Sequence, residues 1–255
     1  MYIDSHAHLT LSPAFDQIEE LLQRAKETGI THIVNICVDR LSLERGLLLS
    51  QKYPWIVNTA AVTPHDVQEK NDDFFSFIQD SSKNNQLVAI GETGLDFHYY
   101  QASKEEQIAS LQKHLELAND HHLPVVFHCR EAFETLFSIA DSYSITKAVI
   151  HCFTGTLEEA KKCLDRGWSL SFSGIVTFKK SEDLRKIAAY TPLESLFIET
   201  DTPYLAPQSK RGKMNEPSFI PEIVETLSQV KNLPHTRVAL QTSLNIAKFF
   251  SFEKL

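Results

Sequence analysis

Short apolar segments recur eight times along the chain, and helix-like segments separate them. The apolar segments are rich in β-branched residues, as strands buried on both faces are, and they cover residues 2–9, 31–38, 56–63, 87–92, 124–128, 147–152, 168–173 and 195–200. Polar–apolar periodicity predicts amphipathic helices between them, among them residues 15–28, 104–122, 132–143, 157–166 and 181–190. This alternation predicts a parallel sheet flanked by helices, either closed as a barrel or open and doubly wound.

The length of the chain agrees with the closed form of such a sheet. The sequence has 255 residues, which is close to the roughly 250 that are typical of one (β/α)8 barrel. No stretch rich in proline, glycine or serine resembles an interdomain linker. We therefore expect one domain over residues 1–255, with the α/β fold of a TIM (β/α)8 barrel.

Side chains that can bind metals stand near the C-terminal ends of these predicted strands. They are His6, His8, Glu92, His128, His151, Glu199 and Asp201. In a barrel of parallel strands these ends meet on one face. An open sheet concentrates its site at one switch point, whereas residues from the first, fourth, fifth, sixth and eighth strands converge easily only if the sheet closes. The distribution of these candidate ligands over five strands therefore favours the barrel, with a composite metal site and hydrolase chemistry.

The first candidates are the histidines of the motif YIDSHAHL. Residues two apart in a strand face the same side, so His6 and His8 can bind one ion through their imidazoles. Asp4 and Ser5 beside them are candidates for supporting hydrogen bonds. Two histidines at this spacing can also be ordinary polar residues. The case for metal binding therefore depends on the candidate ligands of the other strands.

Glu92 stands in the motif GETGLD, between Gly91 and Gly94. The glycines permit close backbone approach or unusual dihedral angles around a carboxylate that would be costly to bury unpaired. Because a carboxylate can bridge two cations, Glu92 is the candidate for a shared ligand. The alternative is a glutamate that forms a salt bridge in a turn, and Asp96 is interpreted as a loop or capping acid.

His128 and His151 each end an apolar run, VVF and AVI. One such histidine is either a satisfied core residue or a ligand, but two at the same end of consecutive strands favour ligation. Glu199 and Asp201 lie two apart in FIETDTPY. One of these carboxylates could bind metal while the other orients it or accepts a proton from water; the alternative for Asp201 is a capping role.

The charge of the chain limits its partners. With 25 basic and 33 acidic side chains, the formal net charge is −8, which opposes tight non-specific attachment to nucleic acid or to an anionic membrane. A phosphate substrate is still compatible with this charge, because a bound divalent ion dominates the local field. No apolar run approaches the roughly 18 residues that indicate a membrane span.

The cysteines and the N-terminus indicate a reducing compartment. Cys37, Cys129, Cys152 and Cys163 show no zinc-ribbon spacing and lie in or beside apolar runs, which predicts free thiols; Cys152 is distinctive because it follows a candidate ligand. A strand-like segment occupies the place of a signal peptide. We therefore expect a cytoplasmic protein.

Several motifs together resemble those of the TatD family of metal-dependent DNases, which belong to the amidohydrolase-like metallohydrolase barrels. They are DSHAHL, GETGLDFHY, HLELA with LPVVFHCREA, VIHCFTGT, SFSGIVTFKK, IETDTPYLAP with RGKMNEP, and TSLNIAKFF. These segments cover nearly the whole chain, so the resemblance is specific.

The resemblance implies a centre of two divalent ions and a DNA substrate. His6, His8, Glu92 and Asp201 would surround one ion, and Glu92, His128 and His151 the second, with Glu92, Glu199 and Asp201 as the catalytic group. Family members act on DNA phosphodiesters, generally as exonucleases that shorten single-stranded 3′ ends, with Mg²⁺, Mn²⁺ or Zn²⁺. The mixed ligands suit Zn²⁺, Mn²⁺ or Fe²⁺ better than a pure Mg²⁺ site. A monomer is the simplest expectation.

Candidate substrate contacts lie beside these ligands. Arg130 follows His128 by two residues and could hold a phosphate bidentately. Arg211 lies in the basic segment SKRGKMNEP together with Lys210 and Lys213, which is consistent with contacts to backbone phosphates or with a solvated loop.

The chain departs from the family in one motif after the third strand. Where relatives commonly carry Gly-x-His-Pro-His, this chain has Thr63 in place of the first histidine and retains His65. The resemblance associates the missing histidine with the substrate phosphate rather than with the metals. We therefore expect bound ions but altered substrate affinity, rate or preference, with His65 as a substrate contact.

Two other functions are compatible with the same residues. The barrel could hydrolyse a small amide, ester or phosphoester, because one fold serves many substrates. It could also be a binding or scaffolding protein that has lost catalysis, for which the threonine at position 63 is the only support. The complete set of candidate ligands argues against the second alternative, because unpaired buried carboxylates are costly to keep.

Overall fold

Eight parallel strands follow one another in chain order around one sheet. The computed structural model describes residues 1–68, 72–99 and 101–252, so the last three residues of the expected domain lie outside it. The strands are β1 (Tyr2–Ala7), β2 (Ile30–Cys37), β3 (Ile56–Ala60), β4 (Ala89–Asp96), β5 (Val125–Arg130), β6 (Ala148–Ile150), β7 (Ser169–Phe172) and β8 (Leu196–Ile198). The predicted TIM barrel is confirmed.

The barrel closes between its first and last strands through the segment that follows β8. An isolated parallel bridge joins Ala7 to Thr202. The amide of His8 donates to the carbonyl of Thr202 at 2.8 Å, and the amide of Asp201 donates to the carbonyl of His6 at 2.9 Å. Closure therefore brings two candidate ligands from the start of the chain against one from near its end.

Nine α-helices occur in the described part of the chain, and they cover the outside of the barrel. They are α1 (Ile18–Thr28), α2 (Arg40–Lys52), α3 (Asp72–Lys83), α4 (Lys104–Asp120), α5 (Phe133–Ser142), α6 (Leu157–Asp165), α7 (Glu182–Tyr190), α8 (Ile220–Lys231) and α9 (His235–Phe250). Capping boxes begin α4 and α6, where Ser103 pairs with Glu106 and Thr156 with Glu159. These caps satisfy amide groups that have no partner within the helix.

The observed strand boundaries differ most from the sequence-based ones at β4, and its neighbour β5 is also longer than expected. β4 extends to Asp96 rather than ending at Glu92, and β5 extends to Arg130. Gly91 and Gly94 have φ angles of +153° and +147°, and a Cβ atom at Gly94 would lie 1.9 Å from the carbonyl oxygen of His128. The glycines thus permit the close approach of β4 and β5 that the sequence indicated.

The other structural expectations concern membranes and thiols. No helix within the described ranges is both long and apolar enough to cross a membrane. All four cysteines are free; Cys37, Cys129 and Cys163 are buried, and Cys152 is partly exposed. This agrees with the expectation of free thiols.

Candidate metal centre

The C-terminal ends of five strands bring all seven candidate ligand residues into one cluster. Most of them are nearly inaccessible to solvent, and the His128 side chain is the most exposed at 17%. The cluster contains His6 from β1, His8 just after it, Glu92 from β4, His128 from β5, His151 after β6, and Glu199 and Asp201 after β8. Strands distant in sequence therefore form one buried polar site, as the sequence predicted.

A first set of four atoms surrounds a point between β1 and β8. The Nε2 atoms of His6 and His8 lie 3.3 Å apart. Oε2 of Glu92 lies 3.4 Å from His6 and 3.7 Å from His8, and Oδ1 of Asp201 lies 3.6 Å and 3.4 Å from the same two nitrogens. We call these four atoms the first ligand set.

A second set of three atoms lies on the other side of Glu92. Its Oε1 atom is 2.9 Å from Nδ1 of His128 and 2.8 Å from Nε2 of His151, and these two nitrogens lie 3.1 Å apart. We call these three atoms the second ligand set. The two oxygens of one carboxylate thus face different sets, which is the geometry of a bridging ligand.

The spacings of both sets fit divalent cations. Ligands placed tetrahedrally at about 2.0–2.1 Å from an ion lie about 3.4 Å apart, and the five spacings of the first set run from 3.3 to 3.7 Å. Ligands at right angles around an octahedral ion with similar bond lengths lie about 2.9 Å apart, which agrees with the second set. Imidazoles that converge in this way on shared carboxylates would hold metal ions without rearrangement.

Charge interactions support ionised carboxylates in this cluster. Burial opposes ionisation of Glu92, but the nearby His151 and hydrogen bonds from His128, His151 and His6 hold the pKa of Glu92 well below its usual range. Burial likewise opposes protonation of His151, but Glu92 and Glu199 raise the pKa of His151 well above its usual value. The carboxylates therefore provide the negative charge that a cation site requires.

Asp96 supports the second set, although the sequence suggested only a loop or capping acid. It lies buried at the end of β4, and its Oδ2 atom is 2.9 Å from Nε2 of His128 and 3.0 Å from Nε2 of His65. Burial opposes its ionisation, but hydrogen bonds from His128, the amide of Tyr99 and His65 lower the pKa of Asp96. The only signal in the sequence was its position two residues after the second glycine of GETGLD.

Glu199 lies behind the ligands rather than beside the solvent. Its carboxyl group is inaccessible, its Oε1 accepts a hydrogen bond from the amide of Cys152 at 2.7 Å, and the same oxygen lies 3.4 Å from Nδ1 of His151. A carboxylate at this nitrogen favours the tautomer that leaves Nε2 free to bind a cation. Its position indicates an orienting role, and its expected catalytic role stays a prediction.

Asp4 and Ser5 hold strands together instead of contacting the imidazoles of the ligands. Asp4 accepts hydrogen bonds from the Thr200 hydroxyl at 2.6 Å and from the Thr200 amide at 3.0 Å. Ser5 donates to the carbonyl of Ile198 at 2.9 Å. Burial raises the pKa of Asp4 to about 7, against the effect of these bonds. Both residues attach β1 to the end of β8, which fixes the backbone of the first ligand set.

Two cavities meet at the cluster. One has a volume of 640 Å³ and includes Arg130 and Cys152 in its wall; we call it the Arg130 cavity. The other has a volume of 780 Å³ and includes Tyr99 and Tyr204; we call it the Tyr204 cavity. Both are lined by His128, His151, Asp201 and Leu205. The ligand sets therefore lie where a molecule in either cavity can reach them.

The expected substrate contacts occupy different places around this opening. Arg130 lines the cavity named after it, with its guanidinium 4.8 Å from the centre of the Tyr99 ring. His65 lines the Tyr204 cavity, held by Asp96. Arg211 stands over the ring of Phe178 at 4.5 Å, outside the residues that line these two cavities.

Thr63, the departure from the family motif, lines the Tyr204 cavity with its hydroxyl engaged. It donates to Oδ2 of Asp66 at 2.7 Å. The loop after β3 therefore presents a hydroxyl–carboxylate pair where a second histidine was expected. This exchanges a group that can carry positive charge for an uncharged one that is already hydrogen-bonded.

Comparison with known proteins assigns the family. The model of the family described as TatD related DNase matches residues 3–251. An uncharacterized metal-dependent hydrolase, YabD, of Bacillus subtilis is 32% identical over 98% of this chain and 99% of its own length. A protein named 3′-5′ ssDNA/RNA exonuclease TatD, of Erwinia tasmaniensis, is 32% identical over 97% of this chain and 99% of its own length.

A solved structure agrees with this assignment. The crystal structure of YjjV, a TatD homologue from Escherichia coli, superposes with a TM-score of 0.93 at 26% identity and covers 98% of both chains. The family match spans nearly the whole barrel, and the structural neighbour shares its fold. The chain belongs to the TatD family and is a metal-dependent hydrolase.

Proposed function

We propose that this hydrolase is a deoxyribonuclease that uses two divalent ions to cleave DNA phosphodiester bonds. We further propose that it acts as a 3′-5′ exonuclease on single-stranded ends, as a monomer in the cytoplasm, through one catalytic domain. The observation that carries the proposal is the position of Glu92, whose two carboxylate oxygens face separate ligand sets. The exonuclease name of the Erwinia relative supports the substrate.

Each ligand set would hold one ion, with Mg²⁺, Mn²⁺ and Zn²⁺ as the candidates. Two ions held in this way would activate a water molecule and neutralise the charge that develops on the attacking and leaving oxygens. Glu92 fixes the separation of the sets, because one short carboxylate belongs to both. The second oxygen of Asp201 is the group that we assign to accept the proton of the attacking water, because Asp201 borders both cavities.

Residues outside the ligand sets would bind the substrate. Arg130 places a guanidinium beside the second ligand set, where it can donate two hydrogen bonds to one phosphate. His65 faces the other cavity and is oriented by Asp96. Glu199 keeps His151 in the tautomer that binds a cation. These assignments divide the site into metal-holding, phosphate-binding and orienting residues.

Hydrolysis of a small amide, ester or phosphoester is the alternative function. Its specific support is Thr63, which removes a histidine that the family resemblance associates with substrate phosphate. Two relatives, YabD of Bacillus subtilis and YcfH of Escherichia coli, carry names that specify metal dependence and hydrolysis but no substrate. A panel of small chromogenic esters and amides, assayed beside oligonucleotides, separates the two proposals by their kcat/KM values.

The decisive experiment is digestion of a 5′-labelled single-stranded oligonucleotide. Chelator-treated protein is reloaded with Mg²⁺, Mn²⁺ or Zn²⁺, and the products are separated by length. We expect a ladder that shortens from the 3′ end, only with metal. The same assay is applied to two variants. Asp201→Ala removes a member of the first ligand set, and the control, Glu44→Ala, removes an exposed carboxylate on α2.

The outcomes of this digestion are distinct. The Asp201→Ala variant should lose at least a hundredfold in rate, whereas Glu44→Ala should match the wild type. An intact oligonucleotide under every loading condition, with rapid cleavage of a small ester, would reject the nuclease proposal in favour of the alternative. Cleavage that is equal in both variants would contradict the role of Asp201 in the proposed mechanism.

A further inference from the structure

A third cavity extends the opening above the metal centre to one side. It has a volume of 580 Å³ and lies between the start of α6 and α7. Its wall includes Lys180 and Lys186, and we call it the Lys180 cavity. It shares Thr154, Gly155, Thr156 and Ile175 with the Arg130 cavity. The two cavities therefore adjoin, and together they lead from the ligand sets to the outer edge of the barrel.

Three cations at or near the outer end of this path have no carboxylate partner among the described residues: Lys180, which lines the cavity, its neighbour Lys179, and Arg211, which stands over the ring of Phe178. Lys186 in the same region is instead paired with Asp183 at 2.9 Å. We call Lys179, Lys180 and Arg211 the basic rim. In a chain with a net charge of −8, a group of unpaired exposed cations beside the active-site opening is a suitable place for phosphates.

Internal contacts hold the basic rim in place. Arg185 donates from Nη1 to the carbonyls of Val176 and Phe178 at 3.0 Å and 2.7 Å, and so braces the backbone immediately before the two lysines. Oε1 of Gln208 accepts from the amide of Lys179 at 3.3 Å. Arg211 covers the ring of Phe178 at 4.5 Å. The loops after β7 and β8 are therefore joined, and all three cations belong to one surface.

The Tyr204 cavity on the opposite side of the ligand sets has a different character. Its wall includes four carboxylates, Asp39, Asp66, Glu92 and Asp201, and neither lysine nor arginine among the described residues that line it. The Arg130 cavity has three carboxylates, but Arg130 adds a cation there, and Glu131 and Glu159 are engaged by His98 and by Thr156 at the start of α6. Tyr99 and Tyr204 are half exposed in the Tyr204 cavity. Aromatic rings can stack on a base, whereas carboxylates repel a series of phosphates. This cavity suits one nucleotide better than a continuing strand.

We propose that the substrate lies across the metal centre with a fixed polarity. The strand that remains after cleavage passes through the Arg130 cavity to the basic rim, and the nucleotide that is released occupies the Tyr204 cavity. This inference rests on the proposed nuclease function and adds a phosphate-binding subsite that is remote from the ligands. It predicts that the basic rim strengthens the binding of long substrates and leaves the rate of the cleavage step unchanged.

The test removes the basic rim and varies the length of the substrate. The variant is Lys179→Ala/Lys180→Ala/Arg211→Ala, and the control is Lys113→Ala/Arg237→Ala/Lys248→Ala, which removes the same charges from α4 and α9. We expect KM for a single-stranded 12-mer to rise at least tenfold in the rim variant, with kcat nearly unchanged. For a dinucleotide, kcat/KM should change less than twofold. The control should resemble the wild type with both substrates.

Salt dependence gives a second kinetic measurement. Each phosphate contact to a single strand contributes about 0.7 to the slope of log affinity against log salt concentration. Loss of three contacts should therefore reduce the slope for the 12-mer by about 2 in the rim variant. Equal KM changes for the dinucleotide and the 12-mer, or a slope identical to that of the control variant, would overturn the proposal.

A binding measurement separates this proposal from the nuclease proposal. Fluorescence anisotropy of a labelled 12-mer is measured with chelator-treated protein, which cannot cleave by the proposed mechanism. Weaker binding by the rim variant than by the control supports the subsite even if the wild type digests no oligonucleotide. Equal binding by the two variants rejects the subsite, whereas absence of digestion alone rejects only the proposed function.

Discussion

The Nε2 atom of His128 lies 2.9 Å from Oδ2 of Asp96, and the Nδ1 atom of the same ring lies 2.9 Å from Oε1 of Glu92. A carboxylate at Nε2 keeps the ring proton on that nitrogen and leaves the lone pair of Nδ1 for a cation. The other oxygen of Asp96 accepts the amides of His98 and Tyr99, both at 2.9 Å. Asp96 thus ties the tautomer of a candidate ligand to the backbone after β4.

Replacement of Asp96 by asparagine should weaken metal binding in the second ligand set. The single side-chain oxygen would be retained by the amides of His98 and Tyr99, so the new NH₂ group would face Nε2 of His128. Two donors cannot bond to each other, and the ring proton would move to Nδ1, where a cation should bind. We expect at least a tenfold loss of affinity for one ion per chain, measured by competition with a chromophoric chelator.

A matched control for this variant is Glu225→Gln. Glu225 also pairs with a histidine, with 3.0 Å between its Oε2 atom and Nδ1 of His235, but the pair joins α8 to α9 rather than supporting a candidate ligand. Its substitution should leave both metal affinities unchanged. Normal affinity in Asp96→Asn would show that Asp96 does not set the tautomer of His128.

Removal of the bound ions should lower the thermal stability of the protein. Without cations, the nitrogens of His6, His8, His128 and His151 face one another and two carboxylates inside the barrel. An ion that binds only the folded chain stabilises it by about 2.7 kcal/mol at a concentration one hundred times its Kd. Calorimetry should show a lower Tm in excess chelator and its recovery with Mn²⁺ or Zn²⁺. A Tm that is independent of metal would contradict both ligand sets.

Much of the barrel and of its centre was predictable because both depend on local sequence patterns. Each buried strand needs a short apolar run, and the ligands follow those runs or lie within them, so chain order alone placed His6, His128 and His151 on one face. The close backbone approach that the sequence indicated at Gly91 and Gly94 is also observed, whereas the role of Glu92 as a shared ligand stays a prediction. These features required only the period of a strand and the direction of a parallel sheet.

The orienting residues were harder to predict because their role depends on distances between strands. Asp96 was interpreted as a loop or capping acid, since strand periodicity gave no reason to extend β4 past two glycines. Asp4 and Ser5 are adjacent to ligands in sequence but contact the end of β8. Lys180 was not singled out, because the segment that carries it meets the segment of Arg211 only through the packing of two loops, at Lys179–Gln208 and Phe178–Arg211. Contacts between loops that are distant in sequence cannot be predicted from the pattern of one strand or helix.

Substitution of Gly94 by alanine should destabilise the barrel next to the metal centre. An added Cβ atom would lie 1.9 Å from the carbonyl oxygen of His128, and the φ angle of +147° also disfavours a side chain. Because the three nearest atoms all belong to the backbone of His128, which cannot turn aside as a side chain can, β4 and β5 must separate. We therefore expect a loss of at least about 3 kcal/mol in the free energy of unfolding, in the upper range for single substitutions. Denaturant titration measures this loss.

Gly167→Ala provides the control for the effect of backbone conformation alone. Gly167 has a φ angle of +75°, and an added Cβ atom there would meet nothing within 4 Å. Its substitution should cost only about 1–2 kcal/mol, the usual penalty of a left-handed conformation. If the two variants lost equal stability, close packing between β4 and β5 would not explain the requirement for Gly94.

His114 should make the stability of the protein depend on pH. Burial lowers the pKa of this histidine to about 4; Nε2 accepts the amide of Val62 at 3.1 Å and Nδ1 donates to the carbonyl of Ser110 at 2.8 Å. As the pH falls through 6.5, the imidazole of the unfolded chain is protonated while that of the folded chain stays neutral. The contribution of His114 to stability is therefore fully present above pH 6.5 and is lost as the pH falls towards 4. Between pH 7.5 and 5.5 this amounts to roughly 1.3 kcal/mol. His114→Gln, which can still accept the Val62 amide, should lack this part of the decline in urea titrations at both pH values. A decline equal to that of the wild type would mean that His114 is protonated alike in the folded and unfolded chains.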